Sequence, residues 1–194
     1  MDLILTHGAR THGLARLARL ARLARLARLA RLARFAGAAL FAVLLAPLPL
    51  AAQESGIAVG SAAPSAAVET LDGKPSDLSQ LIGKSPVVIE FWATWCENCK
   101  ELEPAWLAMQ KKYVGKVQFA SVAVGVNQSA ELVRRYVDRH KVGGTQFYDR
   151  TGKAVDAYDV PATSYVVVIN KNGKVVYGGV GGRQDLDAAI RKAF

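Results

Sequence analysis

Two cysteines, Cys96 and Cys99, stand in the segment WATWCENCK with two residues between them, and the chain contains no others. Thiols at this spacing can form a structural disulfide, supply two ligands to a metal site, or act as a dithiol that is reversibly oxidised. A structural disulfide usually closes a longer loop, because a loop this short constrains little of the unfolded chain. The spacing therefore favours a metal site or a redox dithiol.

A structural zinc site needs about four ligands. The chain has three histidines, of which His7 and His12 lie near the N-terminus and His140 falls in a predicted helix. Because no histidine accompanies the two cysteines, we predict no metal site. A redox-active dithiol is the interpretation that remains.

The segment before the cysteines is apolar over residues 87–93 except for Glu90, which is typical of a strand buried on both faces of a sheet. After the cysteines, apolar residues recur at three- and four-residue steps, which predicts a helix. Cys96 then lies at the helix start, where unpaired N–H groups and the helix dipole stabilise a thiolate. We predict that Cys96 is an exposed nucleophile and that Cys99, one turn into the helix, resolves the mixed disulfide.

The rest of the chain supplies elements that could hold this unit. A strand is predicted over residues 116–126 and a helix over residues 129–142, with Ser129 as its N-cap and His140 on a solvated face. A short strand and a short helix follow, then a hairpin around Asn-Lys-Asn-Gly and a closing helix. This order predicts an α/β fold with a mixed sheet and helices on both faces.

The N-terminal quarter differs in composition from the rest. Residues 1–52 contain eight arginines and one acid, whereas residues 53–194 carry a net charge of only +2. Because the chain's net charge of +9 comes mostly from this leader, we predict no nucleic-acid partner for the folded part. Residues 14–34 are seven copies of Leu-Ala-Arg, which we interpret as low-complexity sequence. An arm that binds nucleic acid or a membrane surface is the alternative.

Residues 35–55 form an apolar run that follows positive charge and ends in prolines and small residues, which is the order of a secretory signal. Cleavage is predicted after Ala51 or Ala52, and an uncleaved membrane anchor through residues 35–52 is the alternative. Either interpretation predicts a domain over residues 53–194 outside the cytoplasm, in an oxidising compartment.

The segment FWATWCENCKELEP resembles the active site of the thioredoxin superfamily, and specifically of the bacterial extracytoplasmic TlpA/ResA-type thiol–disulfide oxidoreductases. The lead-in from Gly60 is similar to that family's opening, with Gly-x-x-Ala-Pro, a Leu-Asp-Gly turn and Asp-Leu before the active-site strand. The resemblance covers about residues 57–194. It implies a thioredoxin-like fold, with a central mixed β-sheet flanked by helices and an N-terminal β-hairpin extension.

The resemblance also assigns an acid. Glu90 stands six residues before Cys96, where thioredoxins carry a buried carboxyl beneath the disulfide. A lone glutamate in an apolar strand is costly to ionise, so its pKa should rise and suit it to exchange a proton with Cys99 through water. A glutamate at a strand edge with its carboxyl in solvent is the alternative. Many ResA-type proteins have a second glutamate where this chain has Leu102, and its neighbour Glu103 is expected to point away from the site.

Three further residues are predicted to bind substrate. Pro161 matches the cis-proline loop that faces the disulfide in this superfamily, and an extended Val160 could offer its backbone to a substrate peptide. Trp95, next to the first cysteine, is predicted to shield or line the docking surface.

These features predict a periplasmic or otherwise extracytoplasmic thiol–disulfide oxidoreductase, secreted or membrane-anchored, that reduces protein disulfides. It would need no cofactor beyond the Cys96–Cys99 disulfide, and a membrane thiol–disulfide electron donor would re-reduce it. The resemblance implies a role in cytochrome c maturation or envelope redox homeostasis. Two alternatives are a thiol peroxidase, whose usual threonine stands three residues before the cysteine whereas Thr94 stands two before it, and a non-catalytic copper chaperone.

Overall fold

A computed structural model describes residues 56–194, so the predicted leader, signal segment and domain boundary at residues 52 and 53 lie outside the described residues. The strands within this part are β1 (Ala67–Thr70), β2 (Pro75–Asp77), β3 (Val87–Trp92), β4 (Gln118–Val124), β5 (Thr145–Asp149), β6 (Tyr165–Ile169) and β7 (Val175–Val180). The helices are α1 (Glu97–Lys112), α2 (Ala130–His140), α3 (Lys153–Ala157) and α4 (Leu186–Arg191), with a short 3-10 helix at Leu78–Leu81. No helix in residues 56–194 is long and apolar enough to cross a membrane.

The strands form one mixed sheet in the order β2-β1-β5-β4-β3-β6-β7. Strands β3, β4 and β5 run parallel to one another, whereas β1 and β6 are antiparallel to the neighbours that flank this parallel core. The β1–β2 and β6–β7 hairpins therefore extend the sheet at its two sides. This arrangement confirms the predicted thioredoxin-like α/β fold and its N-terminal hairpin.

Strand β3 has a neighbour on each side and is buried along its whole length. Successive side chains of a strand point to opposite faces of the sheet. Ile89 and Phe91 accordingly join the core on one face, whereas Val88 packs on the other face with α1 residues such as Trp106. Glu90, two residues after Val88, is placed on the α1 face by the same alternation.

Helix α2 begins where the sequence predicts. The Ser129 backbone is extended, and its Oγ accepts the N–H of Leu132 at 3.2 Å, which satisfies one of the unpaired donors of the first turn. The helix ends at His140, and the C-cap residue Lys141 adopts the left-handed conformation with φ of 56°. The cap thus fixes the start of the helix that carries Tyr136 and His140.

Replacing Ser129 with alanine is expected to lower the free energy of unfolding by about 1 kcal/mol, because the Leu132 N–H loses its partner. A Ser129→Gly variant is the matched control and should lose only about a few tenths of that amount, since glycine is also favoured at N-caps. Urea unfolding of the oxidised protein measures both. Equal losses in the two variants would contradict the capping role.

Candidate active site

The two cysteines form a disulfide at the junction of β3 and α1, with their Cα atoms 5.3 Å apart. Cys96 has an extended backbone and is the N-cap of α1, and its Sγ accepts the N–H of Cys99 at 3.1 Å. In the reduced protein the same N–H and the dipole of the 16-residue helix would face a sulfur anion. The predicted position of Cys96 at the helix start is therefore confirmed, and the geometry there is of the kind that stabilises a thiolate.

The prediction of an exposed Cys96 is wrong. Cys96 is 5% exposed and Cys99 is 6% exposed, so accessibility does not distinguish the two cysteines. Cys96 is covered because it packs in one apolar cluster with Trp92 and Ala93 from the end of β3. What distinguishes the two cysteines is their position: Cys96 caps the helix, whereas Cys99 lines a cavity beneath the disulfide.

This cavity has a volume of about 20 Å³, which is enough for one water molecule. Cys99 from α1 and Glu90 from β3 both line it, so the structure brings together two of the predicted site residues. Glu103 from α1, Ser121 from β4 and Tyr136 from α2 add further polar groups to the wall. The His, Cys, Asp and Glu side chains of residues 56–194 form no group of three that could hold a metal ion.

Glu90 is only 7% exposed, at the centre of a strand that has a neighbour on each side. The alternative of a strand-edge glutamate with its carboxyl in solvent is therefore wrong. Burial raises the pKa of Glu90 to about 8, with a smaller contribution from the negative charge of Glu103. A carboxyl with a pKa near neutrality can both take up and return a proton under physiological conditions.

Sequence analysis missed Glu103. Four residues after Cys99 along α1, it is turned by about 400°, so it lies only about 40° from Cys99 around the helix. Its Oε2 accepts the O–H of Tyr136 at 2.9 Å, and its Oε1 lies 3.1 Å from Nδ1 of His140. The expectation that Glu103 points away is wrong, and the i, i+4 spacing from Cys99 is the signal that could have found it.

His140 is exposed, as predicted, but its imidazole also makes contacts that the sequence did not predict. Its ring stacks on that of Tyr136, one helical turn earlier, with centroids 3.9 Å apart. Burial, followed by the hydrogen bond to Glu103, raises the pKa of Tyr136, so this phenol stays protonated and donates. Helix α2 therefore presents a donor and an imidazole to the carboxyl of Glu103.

Gln128, which the sequence did not single out, holds the segment before Cys96. Its side-chain oxygen accepts both the N–H and the hydroxyl of Thr94, each at 2.9 Å. Its side-chain amide donates to the carbonyl of Val124 at the end of β4, at 2.7 Å. These bonds tie the turn that enters the helix to the neighbouring parallel strand.

An apolar surface lies beside the disulfide. Trp95 is 45% exposed, and its indole N–H donates to the carbonyl of Val126, a residue that is itself exposed. Ser164 donates its N–H to the carbonyl of Phe91 at 2.9 Å. This hydrogen bond places loop 160–164 at the C-terminal end of β3, the end that leads to Cys96. Trp95 and the predicted substrate loop thus share one end of the sheet with the disulfide.

The predicted cis bond before Pro161 is wrong, because residues 56–194 contain no cis peptide bond. The loop reverses through positive φ angles at Asp159 and Ser164, of 47° and 65°, and a trans bond is the lower-energy state of an X–Pro peptide. The Val160 N–H donates to the carbonyl of Val155 at 3.0 Å, so only its own carbonyl could face a substrate. Pro161 is exposed and Val160 is half-buried.

A Cys-x-x-Cys disulfide that begins a helix on this kind of sheet defines the thioredoxin-like class of proteins. The family model described as Redoxin matches residues 58–191. The thiol-disulfide oxidoreductase ResA of Bacillus subtilis is 37% identical over 125 residues, which cover 64% of this chain and 69% of that protein. The thioredoxin-like protein YneN of the same organism is 31% identical over 124 residues, covering 63% and 72% of the two chains.

Among solved structures, a thiol:disulfide interchange protein of the thioredoxin family from Chlorobium tepidum matches with a TM-score of 0.59. It is 26% identical, and the match covers 70% of this chain and 97% of that one. The chain belongs to the redoxin family and, within it, to the thiol–disulfide oxidoreductases of the ResA type.

A Glu90→Gln variant is expected to lose most of the pH dependence of stability between pH 4.5 and about 8. The folded wild type keeps the Glu90 proton up to about pH 8, whereas the unfolded chain loses it near 4.5. The protonated Glu90 therefore contributes its full share to the free energy of unfolding below pH 4.5. As the pH rises from 4.5 to about 8, this share decreases by up to about 1.4 kcal/mol per pH unit. Urea unfolding of the oxidised proteins at several pH values measures the slope.

The exposed Glu131 of α2 offers the matched control, because Glu131→Gln should leave the wild-type slope in place. A Glu90→Gln variant that keeps the wild-type slope would contradict the burial of an ionisable carboxyl beneath the disulfide.

Proposed function

We propose that this enzyme reduces disulfide bonds of protein substrates outside the bacterial cytoplasm. The observation that carries the proposal is the Cys96 sulfur at the start of α1, hydrogen-bonded by the Cys99 N–H, with Cys99 above the buried Glu90. This arrangement supplies a stabilised thiolate, a resolving thiol and a proton acceptor in consecutive positions.

The reaction proceeds in two exchanges. The Cys96 thiolate attacks one sulfur of the substrate disulfide, and the other substrate sulfur leaves as a thiolate that takes up a proton. Cys99 loses its proton to Glu90 through the cavity and attacks the Cys96 sulfur. The second substrate thiol is released as the Cys96–Cys99 disulfide forms. The substrate gains two electrons from the dithiol, and its two thiolates take up protons from solvent, to which Cys96 and Glu90 release theirs.

The docking surface consists of exposed Trp95, Val126 and Pro161, with the carbonyl of Val160. Its position beside the disulfide supports this assignment, because an extended peptide can combine apolar contacts with a main-chain hydrogen bond. Cys96 is only 5% exposed, so a substrate would reach its sulfur from the side of this surface.

A membrane thiol–disulfide donor would return the enzyme to its dithiol state after each turnover. Residues 35–55, with the pattern of a secretory signal, support a location in the periplasm or at the outer face of the membrane. The resemblance to TlpA/ResA-type proteins supports cytochrome c maturation or envelope redox homeostasis as the setting. Residues 35–52, if retained, would anchor the enzyme near its donor.

A Cys96→Ser variant is expected to lose reduction of insulin disulfides, because the attacking sulfur is gone. A Cys99→Ser variant should instead accumulate mixed disulfides with the substrate, since nothing resolves them. Non-reducing electrophoresis and mass spectrometry of the adducts distinguish the two. Each variant is the control for the other. Reduction of insulin by the Cys96→Ser variant would overturn the proposal. So would a wild-type enzyme that consumes peroxide and does not exchange disulfides.

The reduction potential of the Cys96–Cys99 couple should lie near that of a reductant, about −270 mV, and not near that of a strong oxidant, about −120 mV. Equilibration with glutathione or dithiothreitol buffers of known ratio measures it. A value near the oxidant limit would reverse the direction of electron flow proposed here.

A further inference from the structure

The buried site raises the question of where a proton goes after it leaves Cys99. Glu90 can accept it, yet Glu90 is almost completely covered and has β-strands on both sides. A carboxyl in this position completes one transfer and must then lose its proton before the next. The exit must run through groups that line the same cavity.

Glu103 lies between the cavity and the surface. It lines the cavity with Glu90 and Cys99, and its side chain is 21% exposed. Its two carboxylate oxygens contact different groups of α2, the O–H of Tyr136 at 2.9 Å and Nδ1 of His140 at 3.1 Å. The His140 side chain is 36% exposed, so exposure increases stepwise from Glu90 through Glu103 to His140.

The cavity is also suited to hold a water molecule between the two carboxyls. Three of its lining residues, Trp92, Trp106 and Ser121, carry a buried polar atom with no hydrogen-bond partner within the described residues. A buried water typically makes about three hydrogen bonds to groups of this kind, and the volume of about 20 Å³ admits one. Such a water would connect Glu90 to Glu103.

We propose that Glu103 and His140 form the proton exit of the active site, passing to solvent the protons that Cys99 delivers to Glu90. The proton moves from the Cys99 sulfur to Glu90, through the cavity water to Glu103, and then to Nδ1 of His140 or directly to solvent. The path runs in reverse when the disulfide is reduced and Cys99 regains its proton. Tyr136 orients Glu103 by donating to its other oxygen.

The proposal rests on the proposed role of Glu90, and the two can be tested in one experiment. Reduced enzyme is mixed with the chromogenic disulfide dithio-bis-nitrobenzoate, which reacts in two phases. In the first phase the Cys96 thiolate releases one coloured thiolate at a rate proportional to reagent concentration. In the second phase Cys99 attacks Cys96 and releases the other, at a rate independent of reagent concentration.

A Glu103→Gln variant is expected to leave the first phase unchanged and to slow the second at least about ten-fold at pH 7. It should also show a larger solvent deuterium isotope effect on that phase, because proton removal becomes limiting. Small buffers such as imidazole should restore the rate in a Glu103→Ala variant. A His140→Gln variant should slow the second phase less, since Glu103 is itself partly exposed.

Glu101 supplies the matched control, because it lies on the same helix but forms an exposed ion pair with Arg183. The Glu101→Gln variant should behave as the wild type. An unchanged second phase in Glu103→Gln, an equal loss in Glu101→Gln, or no rescue by buffer would overturn the exit path. If Glu103 acted only through its charge, its removal would ease ionisation of Glu90 and would not slow the second phase.

Failure of the Glu90 role gives a different result. If Glu90 is not the proton acceptor, Glu90→Gln leaves the second phase at the wild-type rate, whatever the Glu103 variant does. If both residues lie on one path, the second phase of the double variant Glu90→Gln, Glu103→Gln should be no slower than that of the slower single variant. Additive losses would place the two residues on separate paths and contradict the proposal.

Discussion

The position of the active site depends on one fully buried central strand, β3. Strand β3 lies between β4 and β6, so each of its side chains is buried and the alternation of the strand decides which layer receives it. That alternation turns Glu90 toward α1, the helix that carries both cysteines. A carboxyl at this position cannot reach water directly, so its proton affinity is set by the cavity that it shares with Cys99.

Helix α1 then serves the two sulfurs in different ways. Its first turn directs the Cys99 N–H at the Cys96 sulfur, which favours negative charge there. One turn further in, the same helix places Cys99 over the cavity and adds Glu103 to its wall. The two sulfurs are equally covered, yet one faces the helix dipole and the other faces an acid that can exchange its proton. Their division of labour follows from position along one helix and not from accessibility.

Most of the fold and the centre of the site follow from local patterns in the sequence. The buried strand, the helix after it, the Ser129 cap and the place of Glu90 all depend on periodicity and on spacing from Cys96. What could not be predicted depends on packing between elements. The cover over Cys96 comes from an apolar cluster, and the contact of His140 with Glu103 depends on how α2 lies against α1. The bond before Pro161 is trans, and the loop around it turns through positive φ angles at Asp159 and Ser164, which the sequence pattern did not indicate.

Two carboxyls line one buried cavity, and this is why a proton exit would matter in the proposed mechanism. With a pKa of about 8, Glu90 is ionised in only roughly a tenth of the molecules at pH 7, and in the proposed mechanism only those molecules take the proton of Cys99. The negative charge of Glu103 adds to the effect of burial in raising the pKa of Glu90. On the proposed exit path, the rate at which Glu90 returns to its ionised state then depends on how readily Glu103 passes a proton to His140 or to solvent. Burial raises the pKa of Glu90 to about 8, and in the proposed path the contacts of Glu103 with α2 connect this buried acid to solvent.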